Sequence, residues 1–125
     1  MKSVMAIIRI NMMNETKRAL SAAGITSMTA TGNAFGRGKG LWDAKVMDAA
    51  RKDVPEAIEH LGKEPRLRPQ RVLTVTVPDN KVKLVVDTIM KTNCTKSPGD
   101  GKIFVMPEVD AIRIRTGERG DSVLD

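Results

Sequence analysis

The distribution of apolar positions along the chain predicts alternating strands and helices. Four short runs are rich in β-branched residues or alternate between apolar and polar positions, as strands do. They are Val4–Ile10 (VMAIIRI), Ile25–Thr31 (ITSMTAT), Val72–Val77 (VLTVTV) and Ile103–Met106 (IFVM). A fifth, shorter alternation, Ala111–Arg115 (AIRIR), predicts an additional strand near the end of the chain.

Two intervals have helical patterning. In the first, Asn14 is a candidate N-cap and Gly24 a natural stop. In the second, Asp79 is the candidate cap of a helix that ends near Asn93. Apolar residues recur in this second interval at the spacing of one helical face: Val82, Val85, Val86, Ile89 and Met90.

The resulting order, β-α-β, a long segment, then β-α-β, predicts one α+β domain of the ferredoxin-like type, residues 1–125. Such a fold has an antiparallel sheet with both helices on one face. We expect the other face to be covered, most simply by identical subunits. More than 30 residues without a clean strand separate the second and third strands, and an insertion of that length is usually functional.

Glycines and cations occur together in three separate segments. In SPGDGKIFVM (Ser97–Met106), Gly99 and Gly101 flank Asp100 and precede Lys102. Glycines that adopt positive φ can turn backbone N–H groups into a concave nest for an anion such as a polyphosphate. A plain hairpin turn is the alternative interpretation, and the segment lacks the pattern of the P-loop.

The other two segments strengthen the anion hypothesis. Arg113 and Arg115 alternate with isoleucines, so in a strand both guanidiniums leave the same face; the alternative is a solvated edge strand. In AFGRGKG, Arg37 and Lys39 lie between glycines. We therefore predict that the three segments converge on one anionic ligand.

Composition narrows the function classes. The net charge is +6, but aromatic residues are only 2%, which argues against a protein that stacks single-stranded nucleic acid. Cys94 is the only cysteine, so an internal disulfide is excluded, a cytoplasmic location is favoured, and the thiol is expected to be buried. No apolar run approaches the length of a membrane span, and no secretory signal is visible.

Several segments together resemble the PII signal-transduction proteins (GlnB/GlnK-like). Gly24–Gly40 resembles their second strand and the start of their T-loop, Thr74–Val105 their third strand, second helix and B-loop, and Ala111–Gly120 their C-terminal region. The resemblance places the T-loop at about 36–70, the B-loop at about 95–102 and the C-terminal region at about 111–125. GDGKIFV followed by RIRTG is highly specific in combination.

The resemblance implies a non-enzymatic trimer that binds ATP or ADP in clefts between subunits, and 2-oxoglutarate together with Mg-ATP. The B-loop positions at the phosphates would be Gly99, Asp100, Gly101 and Lys102, with Arg113 and Arg115 reaching them from the neighbouring subunit. Positions around adenine and ribose would be Ile7, Met28, Thr29 and Thr95. The base of the T-loop, near the phosphates and the oxo-acid, would be Gly36, Arg37, Gly38 and Lys39.

This sequence departs from the usual PII pattern at three places. Gly38 replaces a glutamine whose side chain helps to hold Mg, and Gln70, followed by Arg71, replaces a lysine that pairs with 2-oxoglutarate. The chain contains no tyrosine, so uridylylation of a T-loop tyrosine is excluded. The first two departures concern Mg and 2-oxoglutarate and leave the expected nucleotide ligands in place.

The long T-loop resembles that of the PII-like regulators encoded with nitrogenase, which act with a second PII-like chain. This resemblance implies that the loop binds nitrogenase. Apolar residues Trp42, Val46, Met47, Leu61 and Leu67, rimmed by Lys63, Arg66 and Arg68, suit such docking. The alternatives are a GlnK-like regulator of an ammonium transporter or glutamine synthetase, and, in another class, a small phosphate-handling hydrolase, for which no placed base is visible.

Overall fold

The computed structural model describes residues 1–36 and 67–124, and within them five strands and two α-helices. The strands are β1 (Lys2–Arg9), β2 (Thr29–Ala30), β3 (Ala34–Gly36), β4 (Arg68–Val77) and β5 (Lys102–Pro107). The helices are α1 (Met13–Ala22) and α2 (Val82–Asn93), each preceded by a short 3-10 turn. The four main predicted strands and both predicted helices are therefore present in the predicted order, with different boundaries.

The strands form one antiparallel sheet in the order β2-β4-β1-β5, and β3 also pairs with β4. β1 lies in the middle, with Ala6 opposite both Leu73 of β4 and Ile103 of β5. This arrangement of two helices on an antiparallel sheet confirms the α+β fold of ferredoxin-like type that the sequence predicts.

The core lies between the helices and one face of the sheet. Alternate residues of the central strands are almost fully buried there, among them Val4, Ala6, Ile8, Leu73, Val75 and Val77. Leu20 of α1 and Val85 and Ile89 of α2 complete the cluster. Met90, predicted to belong to the apolar stripe of α2, is instead 54% exposed.

Neither predicted helix cap is formed by its side chain. The residue before α1 is Met12, not Asn14, and it makes no side-chain capping bond. Asp79 lies in the 3-10 turn before α2 and pairs with Lys2 and the amino group of Met1, at 2.9 and 3.1 Å. The prediction that Gly24 stops the first helix is confirmed, since its φ of +87° follows the end of α1.

The predicted strand Ala111–Arg115 is wrong. The segment contains one isolated bridge, between Ile112 and Arg119, and then a turn in which the amide of Gly117 donates to the carbonyl of Arg113. The turn forms because Gly117 adopts positive φ, which reverses the chain. Arg113 and Arg115 therefore do not alternate along a sheet face.

The base of the predicted T-loop is a short two-stranded ribbon. Ala34–Gly36 pairs with Gln70, Pro69 and Arg68, so both ends of the predicted 36–70 segment belong to strands. The predicted second strand shortens correspondingly to Thr29–Ala30. Residues 37–66 lie outside the described residues, and the predicted docking positions fall there except Leu67 and Arg68.

The sheet face that points away from the helices carries a group of apolar side chains among polar ones. It includes Met5, Ile7 and Val72 at its centre, and Phe104 and Met106 of β5, which are 41% and 37% exposed. Among the described residues, no helix combines the length and apolarity that crossing a membrane requires.

Candidate anion-binding site

The loop between α2 and β5, residues 94–101, contains the positive-φ glycines that the sequence analysis predicts. Gly99 and Gly101 adopt φ of +101° and +107°, and Lys96 is also in the left-handed region. A Cβ on Gly101 would lie 1.8 Å from the carbonyl oxygen of Ile7. Glycine is therefore required at this position, because the loop backbone packs directly on the end of β1.

The side chain of Asp100 is turned toward the stem of its own loop. Its carboxylate accepts hydrogen bonds from the amide of Thr95 (2.7 Å), from the Thr95 hydroxyl, and from Nη1 of Arg9 (2.7 Å). The Thr95 hydroxyl, the Thr95 amide and Arg9 together lower the pKa of Asp100 to about 2. In this geometry Asp100 connects the loop to the end of β1, and its role at the phosphates stays a prediction.

Arg9 is the contributor that the sequence analysis missed. Its Nη1 pairs with Asp100, and its Nη2 donates to the carbonyl of Pro98 at 3.1 Å. One signal was available: alternation along β1 puts Arg9 on the same face as Ile7, a predicted ligand. The partner loop, 91 residues away, gave no local sign of the contact.

Lys102 begins β5 directly opposite Ile7, on the sheet face that points away from the helices. A pocket of about 320 Å³ lies beside this pair, lined by apolar residues of β1 and α2 and by the loop. Asn93 lines the pocket too. Its amide nitrogen donates to the Thr16 hydroxyl and the Ile89 carbonyl, and its Oδ1 has no partner among the described residues.

One chain brings together only some of the predicted ligands. The loop 94–101 contains Thr95 and Gly99–Gly101, and it packs against Ile7 of β1, which lies opposite Lys102. Met28 and Thr29 lie at β2, the opposite edge of the sheet from β5, with two strands between them. At about 4.8 Å per strand spacing, that separation is on the order of 14 Å.

The remaining predicted ligands lie elsewhere or are not described. Arg113 pairs with Glu118 at 3.1 Å, and Arg115 is exposed in the C-terminal turn. Gly36 ends β3, where an added Cβ would meet Oε1 of Gln70. Three predicted ligands fall outside the described residues: Arg37, Gly38 and Lys39.

Gln70 and Arg71 point in different directions, as strand alternation predicts. Gln70 lies opposite Arg9 in the register of β1 and β4, while Nε of Arg71 donates to the carbonyl of Thr31 at 3.0 Å. Arg71 therefore braces the β2 side of the sheet. Within residues 1–36 and 67–124, no cluster of three or more His, Cys, Asp or Glu side chains could hold a metal ion.

Cys94, expected to be buried, is exposed at the end of α2. The helix ends there because Cys94 is already extended, with ψ of 116°, although its amide still donates to the Met90 carbonyl. Its side chain consequently faces the pocket rather than the core.

Many unrelated proteins have an antiparallel sheet with two helices on one face, so the fold alone does not define a function and the family is established by comparison with known proteins. The family profile described as "Nitrogen regulatory protein P-II" matches residues 1–118. The chain belongs to this family, whose members are signalling regulators, bind adenine nucleotides and act as oligomers on target proteins.

Curated relatives cover almost the whole chain. "Nitrogen fixation nifHD region GlnB-like protein 2" of Methanobacterium ivanovii is 43% identical, with 99% of each chain aligned. The protein with the same description from Methanothermococcus thermolithotrophicus is 43% identical over 97% of this chain and 96% of its own. "Nitrogen regulatory protein P-II 1" of Escherichia coli is 36% identical over 99% of this chain and all of its own. These relatives confirm the resemblance to PII proteins and to their nitrogen-fixation-associated members.

Proposed function

We propose that this protein binds ATP and ADP competitively and transmits the occupancy of the site to a target protein. The observation that carries the proposal is the loop 94–101, in which two positive-φ glycines flank Asp100, the carboxylate of Asp100 is paired with Arg9, and Lys102 follows directly. We infer that this loop forms a nest for phosphate groups. Such a nest supplies backbone N–H donors and a cation where a polyphosphate needs them. Membership of a nucleotide-binding family supports the adenine nucleotide as ligand.

The complete site requires a second copy of the chain. Met28 and Thr29 lie across the sheet from Lys102, so they reach a nucleotide at β5 only if a neighbouring subunit presents its own β2 edge there. The apolar open face, with Met5, Ile7 and Phe104, supports burial against like subunits. We propose a trimer, with Arg113 and Arg115 also contributed across the interface. In a hetero-oligomer with a PII-like paralogue, the β5 edge of one chain would likewise meet the β2 edge of the other.

We further propose that 2-oxoglutarate with Mg adds to the ATP-bound state, and that the long loop from 37 to 66 acts on the target, nitrogenase. Support comes from the ribbon that β3 (Ala34–Gly36) forms with Arg68–Gln70 of β4, from which the long loop leaves the sheet. β4 pairs directly with β1, and Gln70 lies opposite Arg9, so the base of the loop is close to the proposed site. Relatives named from a nitrogen-fixation region favour nitrogenase over an ammonium transporter or glutamine synthetase. A ligand can shift the loop only by its different affinity for two loop states.

Calorimetry with ATP and ADP tests the nucleotide site. We expect Lys102→Ala to weaken ATP binding by at least about tenfold, because Lys102 directly follows Gly101 and its ammonium group is the proposed countercharge for the phosphates. Lys83→Ala is the matched control: it removes the same charge from α2, where Lys83 pairs with Asp87. Equal ATP affinity in wild type and Lys102→Ala would refute the site.

The target proposal is tested by adding the purified protein to a nitrogenase assay. With ADP or ATP alone we expect inhibition, and with ATP, Mg and 2-oxoglutarate we expect activity to recover. A chain in which residues 41–61 are replaced by a short glycine-serine linker should bind ATP but leave nitrogenase unaffected. Inhibition that persists in the shortened chain would remove the loop from the mechanism.

A further inference from the structure

The guanidinium of Arg9 contacts the phosphate-binding loop on both sides of Gly99. Nη1 is 2.7 Å from the carboxylate of Asp100, and Nη2 is 3.1 Å from the carbonyl oxygen of Pro98. We propose that Arg9 is a positioning residue that fixes the loop in the conformation able to receive a polyphosphate. This inference rests on the proposed function, since it assigns Arg9 a part in nucleotide binding.

A braced carboxylate removes an obstacle to anion binding. Asp100 lies between the two nest glycines, and a free carboxylate there would repel phosphate groups. In the structure, two donors from Thr95 and one from Arg9 occupy its oxygens and hold it between the start of the loop and the end of β1. Arg9 thereby supplies the countercharge for a group that would otherwise oppose the ligand.

Arginine suits this position in a way that lysine does not. The planar guanidinium offers two nitrogens at a fixed separation, and here they serve two acceptors that are separated along the chain by Gly99 alone. A lysine carries a single ammonium at the end of a flexible stem, so it can neutralise Asp100 without also holding the Pro98 carbonyl. The fork, as well as the charge, is therefore part of the proposed role.

The contact is also tightly packed. A Cβ added to Gly99 would lie 3.1 Å from Nη2 of Arg9, so the loop backbone rests directly on the guanidinium. The side chains of Arg9 and Asp100 are 33% and 21% exposed, which means that the pair is shielded more than a surface ion pair. An ordered loop loses less entropy when it binds, and this preorganisation is what Arg9 would contribute to affinity.

The test compares Arg9→Ala, Arg9→Lys and the control Arg18→Ala, which removes an exposed arginine from α1. We expect both Arg9 variants to bind ATP about tenfold more weakly, with oligomeric state unchanged, and Arg18→Ala to bind normally. In the Arg9→Ala background, Asp100→Asn should recover part of the lost affinity, because it removes the carboxylate charge that Arg9 no longer compensates. Wild-type affinity in Arg9→Lys would overturn the role of the fork, and wild-type affinity in Arg9→Ala would overturn the proposal entirely.

Two further readouts separate positioning from general stability and from the nucleotide proposal. The pKa of Asp100, followed by carboxyl NMR, should rise in Arg9→Ala and stay unchanged in Arg18→Ala. Hydrogen exchange without nucleotide should be faster at the loop amides in Arg9→Ala and unchanged in α1. If the wild type bound no nucleotide, the proposed function would be wrong, whereas unchanged loop exchange in Arg9→Ala would refute the positioning itself.

Discussion

At the scale of single residues, Gly101 is the position with the least freedom to change. It combines a φ of +107° with a carbonyl oxygen, that of Ile7, lying 1.8 Å from where a Cβ would be. Positive φ alone costs a non-glycine residue about 1–2 kcal/mol. The contact with β1 adds to this cost, since the loop must move away from the strand to make room.

We therefore predict that Gly101→Ala lowers the free energy of unfolding by more than about 2 kcal/mol and weakens ATP binding. Gly117→Ala is the matched control, because Gly117 also has positive φ (+74°) but no atom within 4 Å of its Cβ position. Chemical denaturation of both variants isolates the effect of the contact. Equal losses in the two variants would mean that the loop does not rest on Ile7.

The sequence was informative about glycines and cations and uninformative about their partners. Gly99, Gly101 and Lys102 could be identified because residue type alone indicates where positive φ is possible and where a positive charge lies. The brace formed by Arg9 could not, because a contact between positions so far apart in the chain depends on the register of β1 against β5. The strand Ala111–Arg115 was wrongly predicted because the alternation of arginines with isoleucines is typical of a strand. The glycines that follow impose a turn instead.

At the scale of elements, strands and helices with strong periodicity were predicted well. β1 and β4 lie in the middle of the sheet and bury every second residue, so their apolar pattern is unambiguous. The C-terminal segment buries little apolar surface, since Ile114 is fully exposed. Its alternation of apolar and polar residues therefore did not reflect burial against the core. The start of α2 was misassigned because Met1 and Lys2 take the carboxylate of Asp79 that a cap would use.

The loop 94–101 should loosen in acid. The folded-state pKa of Asp100, about 2, lies below the ordinary value of 3.8, so its carboxylate stabilises the fold above about pH 4 and loses that effect as the pH falls toward 2. We predict that Asp100→Asn is less stable than wild type at pH 6 and that this difference in melting temperature disappears near pH 2.

A second variant checks the cause of that pH dependence. Thr95→Val removes the hydroxyl that is the largest contributor to the low pKa of Asp100. In this variant the pKa should rise, so the stabilising effect of the carboxylate should be lost at higher pH than in the wild type. A constant difference between wild type and Asp100→Asn from pH 6 to about 2 would contradict the brace.

At the scale of the whole molecule, the proposed site and the exposed apolar side chains on the open sheet face favour the same arrangement. The nest and Lys102 lie at the β5 edge, while Met28 and Thr29 lie at the β2 edge. Copies packed through their open faces and related by rotation would bring unlike edges together, as closed rings do. Burial of the apolar face and completion of the nucleotide site would thus result from one assembly step.

This argument predicts a sharp difference between two substitutions of equally exposed apolar residues. Phe104, 41% exposed on the open face, and Leu84, 43% exposed on α2, would each be replaced by aspartate. Phe104→Asp should yield a folded monomer that binds ATP at least about tenfold more weakly, because a charge cannot be buried unpaired and the partner's ligands are lost. Leu84→Asp should leave both properties intact. Light scattering after gel filtration, with calorimetry on the same samples, decides the matter: a trimeric Phe104→Asp would place the subunit contact on another face.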